Sequence, residues 1–155
     1  MSFAFLEHRI PPPVVGLLCA GGIWLLAQYT PGIELPRGLR LGAGIAVAAA
    51  GLAVMLAGVI SFRLARTTVN PLRPETATAL VVTGIYRRTR NPMYLGMLLV
   101  LLGWAIFLAT PLGLLGVAAF ALYIGRFQIL PEERALNALF GSVYAEYASR
   151  VRRWL

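Results

Sequence analysis

Tyr86, Arg90, Asn91 and Tyr94 stand close together in the run Thr83-Gly84-Ile85-Tyr86 to Arg90-Asn91-Pro92-Met93-Tyr94-Leu95-Gly96, where a polar stretch turns apolar. Asn91 precedes a proline, which holds its backbone extended, and Pro92 suits the first turn of a helix. The amides that follow have no partner inside that helix and face back toward the polar stretch, an arrangement that binds a carboxylate or another anion. The plainer alternative is that Asn91 caps the helix and that Tyr86 and Tyr94 belong to a membrane-interface belt. A second group is Glu132-Glu133. These are two of only six acidic residues, all glutamates. In a first helical turn they complement the helix dipole, and beside an arginine-rich loop they would also draw a cationic ligand. The third group is Arg126 and Gln128 in an otherwise apolar run, where an arginine calls for a carboxylate partner. Other chemistries are excluded. With one histidine (His8), one cysteine (Cys19) and no aspartate, there is no zinc cluster, no Ser-His-Asp set and no internal disulfide.

The elements that must position these groups are dictated by composition. Of 155 residues 59% are apolar and 13% charged, with a mean hydropathy of +0.75. A soluble domain carries about 25% charged residues, so neither a soluble globule nor a disordered chain fits. Four apolar stretches, residues 13–29, 41–62, 93–109 and 111–130, are long enough to cross a hydrocarbon core of about 30 Å. The expected fold is therefore an all-α integral membrane protein of one domain, residues 1–155, with four transmembrane helices. The first stretch has no convincing small-x-small cleavage site and is read as a retained helix. In the second, Gly42, Gly44, Gly51 and Gly58 with the intervening alanines predict close helix packing.

Thr110-Pro111 makes the third and fourth stretches a tight hairpin, and residues 30–40 form a short turn. Residues 63–92 make a long polar loop, too long for a passive connector. All 14 basic residues are arginine. With four spans, the N-terminus, the long loop and the C-terminus share one side, which holds twelve arginines against two. The positive-inside rule makes that side cytoplasmic. Span ends and this bias account for the arginines without nucleic acid. After the fourth stretch, Pro131 with Glu132 and Glu133 reads as the first turn of a new helix. There Leu136, Leu139, Phe140, Val143, Tyr147 and Val151 repeat at helical spacing, predicting an amphipathic interfacial helix that ends in Arg150, Arg152, Arg153 and Trp154.

The run Thr83 to Gly96 is followed by Glu132-Glu133-Arg134-Ala135-Leu136 and then by Phe140-Gly141-Ser142-Val143-Tyr144-Ala145-Glu146-Tyr147. The whole resembles the isoprenylcysteine carboxyl methyltransferase family and the wider group that includes phospholipid N-methyltransferases, in a minimal bacterial form. The likeness covers roughly residues 70–154 and has its two parts on either side of a span pair. It implies an integral membrane methyltransferase that uses S-adenosyl-L-methionine, yields S-adenosyl-L-homocysteine and needs no metal. The cofactor region would be residues 70–96 and 126–150. Backbone contacts are expected from Thr78, Ala79, Leu80 and Val81, a pocket lining from Tyr86, Asn91, Pro92, Met93 and Tyr94, and further contacts from Glu132 or Glu133. A sulfonium cation suits tyrosine faces, and a carboxylate suits helix-start amides. Glu133 is the candidate base, and Arg126 and Arg90 are the candidates to orient an acidic group.

The chain departs from the family pattern at two positions. Asn91 stands where the pattern has histidine, and it cannot titrate near neutrality, which removes a general base there. Gln128 stands where the eukaryotic enzymes place an arginine for the substrate carboxylate. The resemblance implies a lipophilic acceptor entering from the bilayer, in a bacterial inner membrane with both termini cytoplasmic. The alternatives are a phospholipid N-methyltransferase and, in another class, a non-catalytic membrane protein binding anionic lipids.

Overall fold

The computed structural model describes residues 7, 9–65 and 79–155. Thr78 and most of the long loop lie outside them. All regular elements among the described residues are helical: α1 (Pro12–Tyr29), α2 (Arg37–Leu64), a 3-10 turn (Gly84–Arg87), α3 (Pro92–Phe107), α4 (Gly113–Ile124), a π turn (Gly125–Ile129) and α5 (Leu130–Arg150). Three helices, Pro12–Tyr29, Arg37–Leu64 and the continuous Gly113–Arg150, are long and apolar enough to cross a membrane. The apolar α3 has 16 residues, about 24 Å of rise, and falls short of a full hydrocarbon thickness. It stops early because Ala109 takes a left-handed φ of 51°. The Thr110 amide then bonds the Ala105 carbonyl and the Ala109 amide the Ile106 carbonyl, which satisfies the helix end as a Schellman turn does.

Proline opens α1, and α2 begins directly after Pro36, positions where the missing N–H costs nothing. The small residues of α2 do the packing expected of them. Gly44 faces Gly103 and Gly51 faces Gly96, antiparallel and seven residues apart on each helix. The two backbones touch along this seam. A second pair, α1 with α4, packs through Gly116 against Ile23, and Gly16 lies against Met97 and Phe120. Val15, Ile23, Tyr94, Leu101, Phe120, Ile124 and Ile129 form the shared core. The outward faces stay apolar, with Leu17, Leu25, Leu52, Leu56 and Leu122 about half exposed or more, as lipid-facing helices require.

The junction at Pro131 differs from expectation. α5 begins at Leu130, but the chain reaches it without a break, through a π turn in which the Leu130 amide bonds the Gly125 carbonyl. The wider turn gives room for a proline that would otherwise clash with the preceding turn. The amphipathic stripe is also interrupted. Gly141 has φ 51° and ψ −123° inside α5, so Tyr144 and Tyr147 turn inward while Leu139 and Val143 remain exposed.

Candidate functional site

Gly84 opens the site. Its φ of 61° is in the left-handed region, and a Cβ there would stand 2.7 Å from the Ser61 hydroxyl of α2. Only glycine meets both conditions. The 3-10 turn that follows buries Tyr86, whose ring meets Phe62 edge-on at 5.4 Å. Its carbonyl accepts the Tyr147 hydroxyl at 2.8 Å, joining the turn to the far half of α5. Burial pushes the Tyr86 phenol up, so it stays a neutral hydroxyl.

The Asn91 side chain does not cap α3. Its Nδ2 donates to the Arg153 carbonyl at 2.9 Å. The Thr89 hydroxyl donates to the same oxygen at 3.3 Å, and the Arg90 amide donates to the Arg152 carbonyl at 3.0 Å. Residues 89–91 thus bind the backbone of the C-terminal stretch, and the first turn of α3 is left without a side-chain cap. Tyr86 and Tyr94 are each 5% exposed, which does not fit an interfacial belt.

The Tyr94 hydroxyl donates to Glu132 Oε1. Glu133 is held from two sides: Arg90 approaches Oε1 at 3.1 Å, and Arg153 forks onto both oxygens at 3.1 and 2.6 Å. Such charge-assisted forks fix a carboxylate in orientation. They also occupy both Glu133 oxygens, which leaves Glu132 the freer of the two to accept a proton or a ligand N–H. Arg90 Nε is buried without a partner among the described residues.

The structure therefore brings Tyr94, Arg90, Asn91, Glu132 and Glu133 together. Tyr86, Pro92 and Met93 are carried on the same turn and helix start. Ala79, Leu80 and Val81 precede the 3-10 turn in the chain, with Val81 buried. Arg126 is turned elsewhere: its carboxylate partner is Glu7 at 3.0 Å, which also takes Arg134. Gln128 is fully buried and donates to the Ile10 carbonyl at 2.9 Å. Sequence reasoning read Arg153 as a membrane anchor and missed its clamp on Glu133. The scarcity of acids was the available signal, because a half-buried glutamate pair needs guanidinium partners.

Residues 39–143 match the phospholipid methyltransferase family model. Among relatives, protein-S-isoprenylcysteine O-methyltransferase A of Arabidopsis thaliana is 33% identical over 134 residues, 81% of this chain and 66% of that protein. The B enzyme of the same plant is 37% identical over 83 residues, 52% and 41% of the two chains. An uncharacterized protein of Haemophilus influenzae is 49% identical over 63 residues, 41% of this chain and all of its own length. The chain thus spans two thirds or less of the plant relatives it matches. No solved structure matches it. A family model covering most of the chain, named relatives, and two motif halves that meet at Glu132 and Glu133 make this protein a member of the membrane-bound isoprenylcysteine carboxyl methyltransferase and phospholipid methyltransferase family.

Proposed function

We propose that the protein transfers a methyl group from S-adenosyl-L-methionine to a lipophilic acceptor embedded in the bilayer. The observation that carries this reading is the bonding of the first motif half to the acidic pair of the second, Tyr94 to Glu132 and Arg90 to Glu133. The residues fit such a cofactor. An uncapped helix start beside an Arg90 Nε that lacks a partner suits a carboxylate, and Glu132 keeps acceptor capacity for an amine or ribose hydroxyls. Thr78 to Val81, Tyr86, Asn91 to Tyr94, Glu132 and Glu133 would hold it. When bound, the cofactor supplies a methyl group on a positively charged sulfur.

The chain's own residues supply position. Arg90 and Arg153 fix Glu133, Tyr94 fixes Glu132, and Asn91 holds the stretch that carries Arg153, so that the groups around the reacting atoms move little. Such pre-organisation is the main source of acceleration in a displacement of this kind. Where the acceptor is a thiol or an amine, Glu132 takes its proton. A carboxylate acceptor needs no base and is oriented by Arg90. Four membrane crossings, with α3 as the short one, and a bacterial inner membrane complete the reading. The arginine count supports cytoplasmic termini.

Calorimetric binding of S-adenosylhomocysteine to the detergent-purified protein tests the reading. Binding is expected in the native chain and lost in Glu132→Ala. Absence of binding at millimolar ligand by a folded protein refutes it. An isoprenylcysteine-like acceptor and an ethanolamine phospholipid are told apart by the labelled product formed from a lipid extract.

A further inference from the structure

Away from the acidic pair, α1 and α4 leave an apolar groove of about 670 Å³ between them, lined by Ile10, Cys19, Gly22, Leu115 and Tyr123 among others. It follows the stripe Leu115, Ala119, Tyr123 along α4, beside the core residues Phe120 and Ile124. Two features mark its Tyr123 end. The Tyr123 hydroxyl is buried with no partner among the described residues, although a buried hydroxyl left unmade is costly. One turn further on, Arg126 and Arg134 converge on the single carboxylate of Glu7, with 45% and 62% of their side chains exposed. Among the described residues, two guanidiniums against one carboxylate leave one positive charge over.

We propose that this groove binds an acyl chain of an anionic phospholipid. The chain lies against Cys19, Gly22 and Leu115, an ester oxygen accepts the Tyr123 hydroxyl, and the headgroup phosphate meets Arg126 and Arg134. A groove of this size matches ligand pockets in general, and its walls are as apolar as the chain. The charge decides which lipid is held. One uncompensated arginine near an anionic headgroup is worth about 1 kcal/mol, roughly a fivefold preference over a zwitterionic lipid with the same chains. The site does not depend on the methyltransferase reading.

Native mass spectrometry of the delipidated protein with dioleoyl phosphatidylglycerol or dioleoyl phosphatidylcholine tests the site. The expected result is about fivefold more bound phosphatidylglycerol. A Cβ at Gly22 meets nothing within 4 Å and Gly22 lines the groove, so Gly22→Leu puts a side chain into the groove and should reduce binding of both lipids at least fivefold. Glu7→Gln removes the competing carboxylate and should raise the preference for phosphatidylglycerol. If Glu7 served only to tie down the N-terminal stretch, that variant would leave the preference unchanged or lower it. Equal binding of the two lipids, or Gly22→Leu binding like the native chain, overturns the proposal. It is also overturned by a dimer that Gly22→Leu dissociates, which makes the groove a self-interface, or by methylation of the bound lipid, which makes it the acceptor's route.

Discussion

Replacing Gly96 with alanine probes how tightly α2 and α3 are joined. A Cβ at Gly96 would stand 2.5 Å from the Gly51 carbonyl oxygen, 2.8 Å from Met55 Cβ and 3.0 Å from the Met55 nitrogen. Two of these atoms are backbone and the third is the first side-chain carbon, so no rotamer change relieves the contact and the helices must move apart. Overpacking of this kind costs about 1–3 kcal/mol. The better helix propensity of alanine returns roughly 1 kcal/mol of that. Gly42→Ala is the matched control. It lies on α2, meets nothing within 4 Å, and gains the propensity without a clash. The two variants should therefore differ by about 1–3 kcal/mol, or roughly 2–12 °C in unfolding temperature for a chain of this size. Thermal unfolding in detergent, followed by tryptophan fluorescence, measures the difference. Tyr94 is only two residues before Gly96 on α3, so Gly96→Ala should also weaken S-adenosylhomocysteine binding, which Gly42→Ala leaves intact. Melting of Gly96→Ala together with Gly42→Ala would refute the backbone seam.

Tyr94→Phe removes the donor to Glu132 and keeps the ring. Calorimetry should show cofactor-product affinity falling about three- to tenfold, the scale of one lost buried hydrogen bond, whereas Arg37→Ala at the opposite end of the molecule should leave it unchanged. Arg153→Ala opens the fork on Glu133 and should reduce binding about three- to tenfold, the value being discounted because Arg153 is 38% exposed. Arg150→Ala breaks a pair with both side chains about 70% exposed and should have no measurable effect in the same titration. The Arg126 guanidinium holds the Glu7 carboxyl below its ordinary value of 4.5. A lowered pKa in the folded chain means that the Glu7 contact gains from ionisation above 4.5 and loses that gain as pH falls through the lower value. Proteolysis near residues 7–10 should thus stay slow from pH 7 down to 4.5 and quicken only at lower pH, and a rate flat throughout would exclude the Arg126 contact.

The helices and their apolar faces were legible because composition and periodicity are local. α1 and α2 begin within a few residues of the expected stretches, and the glycines at 44 and 51 pack as their spacing implies. The approach of Tyr94 to Glu132 spans 38 residues and followed from the family motif rather than from any pattern in the chain. The arms that complete the site left weaker traces. Asn91 reaches a backbone carbonyl 62 residues away, and an acceptor carried by every residue has no sequence signature. Glu7 lies in a short polar stretch whose partner depends on how the π turn rotates Arg126. That turn itself cannot be seen in hydropathy, since α4 before it is apolar on every face and has no stripe to be shifted. Proline at 131 therefore pointed to a break where the chain continues.

The pairing of Glu133 with residues on both sides of it in sequence imposes an order on biogenesis. Arg90 leaves the ribosome first, and Glu133 follows once α3 and α4 have been made. Arg153 comes 20 residues later, about 1–4 s at ordinary synthesis rates. Until Arg153 has emerged, Arg90 and Tyr94 are the most that the glutamate pair can meet of these partners, and the Thr89 and Asn91 side chains lack the carbonyl that later receives them. The helices can already be packed while the acidic pair still lacks Arg153, so the cluster of Arg90, Glu133 and Arg153 is completed only by the last part of the chain to be made.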